Sequence, residues 1–121
     1  MFRNEIDAGK KLLRITFSGN VAVQEARRCL EQAESLLPGL VPGFRLLTDL
    51  SGLEAMDVAC APYVERLMDV CNQLGVDTVV RVIPDPHKDI GLSIMSLFHY
   101  RRRVRIVTCE TLAEAEKVLG Q

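Results

Sequence analysis

The stretch that decides the fold runs Phe44-Arg45-Leu46-Leu47-Thr48-Asp49-Leu50-Ser51-Gly52-Leu53-Glu54-Ala55-Met56-Asp57. Its first half, residues 44–50, is mostly apolar and predicts a buried strand. Ser51-Gly52 predicts a turn, because both residue types are common in turns. Asp57 predicts the N-cap of a helix over residues 58–74, where Pro62 is tolerated because it stands in the first turn. Gly75 predicts the C-terminal stop of this helix. The stretch therefore predicts a strand, a polar loop and a helix in succession.

Two shorter strand patterns precede this stretch. Residues 2–7 and 11–17 alternate between apolar and polar side chains, and Ala8-Gly9-Lys10 between them predicts a hairpin turn. Asn20 follows the second pattern and predicts the cap of a helix over residues 21–37. The chain therefore opens with two strands and an amphipathic helix.

The second half of the chain continues the alternation of strands and helices. The patterns predict a β-branched strand over 78–83, a loop over 84–88, a helix over 90–99, a strand over 103–108 and a final helix that Thr111 caps. The order β-β-α-β-α-β-α-β-α predicts an α/β (α+β) fold: a mixed sheet of about five strands with about four helices. We expect residues 1–121 to form one domain.

Composition excludes several classes of protein. The chain has 121 residues, is 48% hydrophobic and carries a net charge of −1, whereas a general nucleic-acid binder would be strongly basic. No apolar run approaches the roughly 20 residues of a membrane span, and the N-terminus lacks a signal-peptide pattern. The four cysteines form no CxxC motif, which argues against a metal centre and favours reduced thiols in a cytoplasmic protein. We expect no metal, no cofactor and no nucleic-acid partner.

In element order and in its central stretch, the chain resembles a STAS domain, the fold of bacterial anti-sigma factor antagonists of the SpoIIAA type. The family has a buried strand that ends in Asp-Leu-Ser-Gly, as in Asp49-Leu50-Ser51-Gly52. A strand that ends in Gly before the first helix is matched by Phe17-Ser18-Gly19-Asn20. The resemblance implies a non-enzymatic regulatory module with a protein partner, either an anti-sigma kinase or another regulator.

The family's phosphorylation motif is not preserved. The family carries Met-Asp-Ser-Ser-Gly at a helix start, and its second serine is the phosphoacceptor. Here Met56-Asp57 is followed by Val58 and Ala59 where the serines would stand, and by Cys60 in place of the glycine. Ala59 has no hydroxyl, so the resemblance implies a divergent member without this switch.

Polar residues near the predicted sheet ends are candidates for binding a partner or ligand. We expect the carboxyl ends of parallel strands to bring the loops after them together. The candidates are Gly19, Asn20, Asp49, Ser51, Asp57, Ala59, Cys60, Asp85, His87 and Lys88. The alternative is that Asp49 and Ser51 satisfy backbone groups, Asp57 only caps a helix, and His87 is an exposed loop residue. Ser51 is also considered as a displaced phosphoacceptor.

A basic cluster near the C-terminus is the second unusual feature. It consists of Arg101, Arg102, Arg103 and Arg105, and residues 81–105 carry a local charge of +4, so that the remainder carries −5. Such a patch favours an anionic partner. The alternative is a helix end followed by solvated positions on an edge strand.

Two further possibilities remain open. A pocket between the sheet and the helix over 90–99 would take a lipid-like or anionic nucleotide-like ligand, as in a STAS/SEC14-like domain. Ordinary core packing is the alternative for its apolar residues, Met56, Met68, Met95, Leu97 and Phe98. A homodimer through an exposed sheet edge or an apolar helix surface is also possible. An enzyme is not expected, because no catalytic framework is present.

Overall fold

The computed structural model describes residues 1–83 and 104–120. Within them, five strands form one sheet in chain order: β1 (Phe2–Asp7), β2 (Leu12–Val21), β3 (Arg45–Met56), β4 (Thr78–Val82) and β5 (Arg105–Cys109). β1 runs antiparallel to β2, and every other neighbouring pair is parallel. The mixed sheet and its strand count are as predicted.

Three α-helices cover the sheet in the described part of the chain: α1 (Val23–Leu36), α2 (Ala61–Gln73) and α3 (Leu112–Leu119). The helix predicted over 90–99, which would be a fourth, lies outside the described residues. The larger core cluster joins β2, β3 and β4 to α1 and α2, and the smaller one joins strand residues to α3. The helices therefore lie on both faces of the sheet.

Strand sequence explains this layering. In β2, Leu13, Ile15 and Phe17 are buried toward α1 and α2, while Leu12 faces the opposite way and joins the cluster under α3. All five residues of β4 are buried, as expected for a central parallel strand with helices on both faces. The alternation predicted for β2 and the β-branched run of β4 are confirmed.

The predicted turn at Ser51-Gly52 is wrong, because β3 continues through both residues to Met56. β2 supplies the backbone partners: Ser18 lies opposite Gly52, and Val21 lies opposite Met56. A Cβ atom at Gly52 would lie 3.3 Å from the Ser18 Cβ atom, so glycine permits this close approach. Pairing along the whole of β2 outweighs the local turn preference.

The predicted cap at Asn20 is also wrong. Asn20 lies inside β2, and α1 begins after Ala22 with no side-chain cap. Gly19 has φ +66°, and the β2–β3 register shifts between Gly19 and Asn20. The extra residue of this bulge is Glu54 in β3, and pairing resumes at Asn20 opposite Ala55, so that β2 runs on to Val21.

Other predicted boundaries are confirmed. Pro62 stands in the first turn of α2, and Gly75 follows that helix with φ +89°. Thr111 caps α3 through its hydroxyl oxygen, which accepts from the Glu114 N–H at 3.2 Å. Local chemistry therefore sets the ends of both helices.

Two arginines hold α3 against the sheet. Arg45 donates to the Leu119 carbonyl at the end of α3, and its Nη2 donates to the Lys10 carbonyl at 2.8 Å. Arg14 Nη2 lies 2.6 Å from Glu116 Oε1. These bonds tie the C-terminal turn of α3 to β2, β3 and the hairpin.

Candidate partner-binding site

The carboxyl ends of β2 and β3 bring two candidate segments together. Gly19 lies opposite Leu53, and Asn20 lies opposite Ala55. Beyond the last paired residue of β3, the Asp57 N–H donates to the Val21 carbonyl at 3.1 Å. The Gly19-Asn20 segment is thereby fixed beside the turn that leads into α2.

That turn is built by Asp57. Its Oδ1 accepts from the Ala59 N–H at 2.9 Å, and its carbonyl accepts from the Cys60 N–H at 2.9 Å. Val58–Cys60 consequently form one turn of 3₁₀ helix that continues directly into α2. The predicted cap at Asp57 is confirmed, although it caps this short turn rather than α2 itself.

The turn exposes two apolar side chains next to the Asp57 carboxylate. The Val58 side chain is 87% exposed, and Ala59 beside it is also exposed. A single exposed valine is ordinary on a protein surface, but this one stands in a hydrogen-bonded turn at the paired ends of β2 and β3. We call Gly19, Asn20, Asp57, Val58 and Ala59 the docking surface.

Cys60 lies beneath this surface and does not form part of it. The residue is fully buried, and its thiol lies 3.8 Å from the Val21 carbonyl, to which it donates. Burial, and then the negative charge of Asp57, raise the pKa of the Cys60 thiol. A buried, protonated thiol is a poor nucleophile, so Cys60 acts as a core residue that holds the turn against β2.

Asp49 and Ser51 lie within β3, upstream of the turn that Asp57 builds. Asp49 is buried inside β3, and its Oδ1 accepts from the Ser51 N–H at 3.0 Å. It precedes Asp57 by eight residues, or roughly 25 Å of extended strand. The expectation of one polar loop around both aspartates is wrong, because the intervening residues are strand. The alternative, in which Asp49 satisfies a backbone group, is confirmed.

The predicted basic cluster and second loop fall mostly outside the described residues. Arg101, Arg102 and Arg103 lie there, as do Asp85, His87 and Lys88. Arg105 is exposed at the start of β5, where its N–H donates to the Asp77 carbonyl at 3.0 Å. It pairs with Thr78, at the amino end of the parallel strands and opposite to the docking surface.

Sequence reasoning missed a buried arginine. Arg81 is only 7% exposed within β4, and its Nη2 donates to the Thr108 hydroxyl at 3.2 Å. It borders a cavity of about 50 Å³ between the sheet and α2, whose lining includes Met56 and Met68. The sequence feature that could have indicated this buried position is the single arginine within an otherwise β-branched strand.

A larger groove lies on the opposite face of the sheet. It has a volume of about 650 Å³ and runs between the β1–β2 hairpin and the end of α3. Two of its cations, Arg14 and Arg45, form the bonds that anchor α3. The groove therefore lies where α3 is anchored to the sheet, and its lining includes none of the candidate site residues that the structure describes.

In residues 1–83 and 104–120, no three His, Cys, Asp or Glu side chains are grouped to hold a metal ion. No helix of that part is long and apolar enough to span a bilayer.

Removing the Asp57 cap tests how the docking surface is held. We expect Asp57→Ala to lower the free energy of unfolding by about 1 kcal/mol, because the Ala59 N–H loses its acceptor. Asp57→Asn keeps a side-chain oxygen and is the matched control, with a smaller loss. Urea unfolding of the three proteins measures the difference, and equal losses in both variants would contradict the role of the cap.

A five-stranded mixed sheet in this order, with α1 and α2 on one face and α3 on the other, defines a SpoIIAA-like fold, the fold of STAS domains. An uncharacterised protein of the DUF3478 family from Shewanella loihica, described as having a SpoIIAA-like fold, matches with TM-score 0.74 and 15% identity over 98% of this chain and 93% of its own. The phosphorylated form of the Bacillus cell fate determinant SpoIIAA matches with TM-score 0.66 and 14% identity, over 98% of this chain and 99% of its own. An anti-sigma factor antagonist from Mycobacterium paratuberculosis matches with TM-score 0.63 and 13% identity, over 100% and 96%.

Sequence comparison adds nothing to this result. No protein-family model matches the chain, and no curated protein matches it. The similarity to solved structures therefore defines the fold and not the function.

Proposed function

We propose that the protein is a non-enzymatic regulatory module of the bacterial cytoplasm that binds a partner protein through its docking surface. The observation that carries this proposal is the Asp57-capped turn, which holds an exposed Val58 at the paired ends of β2 and β3. The shared fold with anti-sigma factor antagonists supports an anti-sigma kinase or a similar regulator as the partner.

Binding in this proposal is not switched by phosphate at the docking surface. Ala59 occupies the position at which the family resemblance places the phosphoacceptor, and its methyl group cannot accept a phosphoryl group. The thiol of the neighbouring Cys60 is buried and protonated. Regulation therefore acts through the abundance or state of the partner.

A charge placed on the docking surface tests the proposal. We expect Val58→Asp to weaken binding to an anti-sigma kinase by roughly tenfold or more, because a central apolar contact would have to bury a carboxylate. Val41→Asp is the matched control, since Val41 is also an exposed valine at 55% but lies in the connection between α1 and β3.

Isothermal titration calorimetry with purified kinases of the anti-sigma type measures both variants. Weakening by Val58→Asp alone supports the docking surface. Equal binding by wild type and both variants would place the contact elsewhere, and no binding by wild type to any such kinase would remove this class of partner.

The small-ligand alternative has less support in the described residues. The cavity beside Arg81 has a volume of about 50 Å³, far below the roughly 300–1,000 Å³ of ligand-binding pockets. The pocket predicted against the helix over 90–99 lies outside the described residues. Native mass spectrometry of gently purified protein distinguishes the two functions, since a co-purifying lipid or nucleotide would favour the ligand.

A further inference from the structure

The outer edge of β1 has a regular pattern of backbone groups. At its beginning the Met1 N–H donates to the Ser18 carbonyl at 2.9 Å, and the Ser18 N–H donates to the Met1 carbonyl at 2.9 Å. Hydrogen-bonded and non-hydrogen-bonded pairs alternate in an antiparallel ladder, so Arg3 and Glu5 also bond inward to β2. The N–H and C=O groups of Phe2, Asn4 and Ile6 therefore point to the outer edge, where the described residues place no further strand.

The side chains of β1 alternate between the two faces of the sheet, and the charged residues all lie on the exposed face. Phe2, Asn4 and Ile6 face α1, where Asn4 Nδ2 donates to Gln32 Oε1 at 2.9 Å. Arg3 and Glu5 are exposed on the other face, and their Nε and Oε1 atoms lie 3.0 Å apart. The exposed row of this edge strand is Arg3, Glu5 and Asp7, and the Asp7 Oδ1 accepts from the Lys10 N–H at 3.1 Å in the hairpin turn.

This pattern is complementary to itself. In an antiparallel pair of two β1 strands centred on Asn4, Phe2 lies opposite the second copy's Ile6, and Asn4 lies opposite the same residue of the second copy. The three outward-pointing residues of each copy then form hydrogen-bonded pairs throughout. Arg3 lies opposite Glu5 of the second copy in the two non-hydrogen-bonded pairs, where side chains are closest.

Charge and hydrogen bonding together favour this centre over its neighbours. A shift of the two-fold axis to Arg3 places the two copies' Arg3 side chains opposite each other. A shift to Glu5 places two Glu5 carboxylates opposite each other, although it also brings Arg3 opposite Asp7. Both shifts also lose one of the hydrogen-bonded pairs. Lysine-rich edges that resist pairing carry charges of one sign, whereas this edge carries both signs in self-complementary order.

We propose that β1 is a homodimerisation edge, through which two copies join their sheets about a two-fold axis at Asn4. The interface is isologous, with one strand and two inter-copy ion pairs repeated by symmetry. Because a single strand edge buries less surface than a standard interface, the dimer is weak and forms as the protein concentration rises. Salt weakens it further by screening the exposed ion pairs.

Charge reversal and exchange test the proposal. Arg3→Glu places like charges opposite each other in both ion pairs and is expected to raise the dimer Kd roughly tenfold or more. The double variant Arg3→Glu/Glu5→Arg restores opposite charges across the axis and is expected to return the Kd to near its wild-type value. Arg66→Glu on the exposed surface of α2 is the control for the same change of net charge.

Sedimentation velocity over a range of concentrations measures association, and circular dichroism confirms that each variant is folded. Hydrogen exchange by NMR gives an independent readout, because dimerisation protects the amides of Asn4 and Ile6 while those of Arg3 and Glu5 are protected in the monomer already. A protein that stays monomeric throughout the range would overturn the proposal. So would a dimer that Arg3→Glu leaves intact, or one that the double variant fails to restore.

Discussion

The free energy of unfolding is expected to fall as the pH rises above 9, by about 1.4 kcal/mol per pH unit for each thiol that stays protonated in the fold. Burial raises the pKa of Cys71 to about 12. Burial also raises the pKa of Cys29 to about 11, with a smaller opposing effect from the hydrogen bond to Asn4. Both thiols lie in the core cluster shared by the sheet, α1 and α2.

The direction follows from proton binding. The unfolded thiols ionise near pH 9.0, whereas the folded thiols keep their protons up to about 11 for Cys29 and about 12 for Cys71. Between these values the folded state holds more protons, so rising pH favours unfolding. Stability from this source is complete below pH 9 and is lost progressively up to the folded-state pKa.

Urea unfolding at several pH values, in the presence of a reductant, measures the effect. Tyrosine and lysine side chains also titrate in this range, so the informative quantity is the difference between wild type and Cys71→Val. The variant is expected to lose stability less steeply with pH, by about 1.4 kcal/mol per unit, whatever its stability at neutral pH. Parallel pH profiles for the two proteins would show that the Cys71 thiol ionises equally in the folded and unfolded states, which would contradict the prediction.

Features that depend on neighbours in sequence were predicted, whereas features that depend on pairing between distant strands were not. The alternation of Leu13, Ile15 and Phe17, and the caps at Asp57 and Thr111, depend on neighbours in sequence, and the sequence predicted all of them. The length of β3 depends on the pairing of Gly52 with Ser18, which local preferences cannot show. The predicted turn and the cap at Asn20 both failed for this reason.

The candidate site was predictable only in part. The sequence placed Gly19, Asn20 and Asp57 at one end of the sheet, and the pairing of β2 with β3 brings them together. It also placed Asp49 there, because an aspartate after an apolar run is usually at a loop. In the fold, Asp49 lies under the hydrogen bond from the Ser51 N–H, inside the strand. Burial of a charged residue depends on which strands and helices surround it, and the sequence alone does not show that.

The substitution Ala59→Ser is expected to create a phosphate acceptor where the wild-type chain has none. Residue 59 is exposed, and its backbone N–H is already fixed by the Asp57 carboxylate. The turn leads directly into the N-terminus of α2, whose dipole favours negative charge. With an anti-sigma kinase and ATP, the serine Oγ of the variant would take the γ-phosphoryl group and release ADP, while residue 59 of wild type stays unmodified.

Phosphopeptide mass spectrometry measures the transfer at each position, with the kinase's own antagonist as the positive control. Ser51→Ala in the Ala59→Ser background excludes transfer to the exposed Ser51 as the source of signal. The added phosphate carries about −1.5 to −2 charges beside Val58, so the phosphorylated variant should bind the partner less tightly than the unmodified one. Transfer to wild type at Ser51 would show a displaced switch. An unmodified Ala59→Ser protein beside a fully modified positive control would mean that the kinase does not engage this turn.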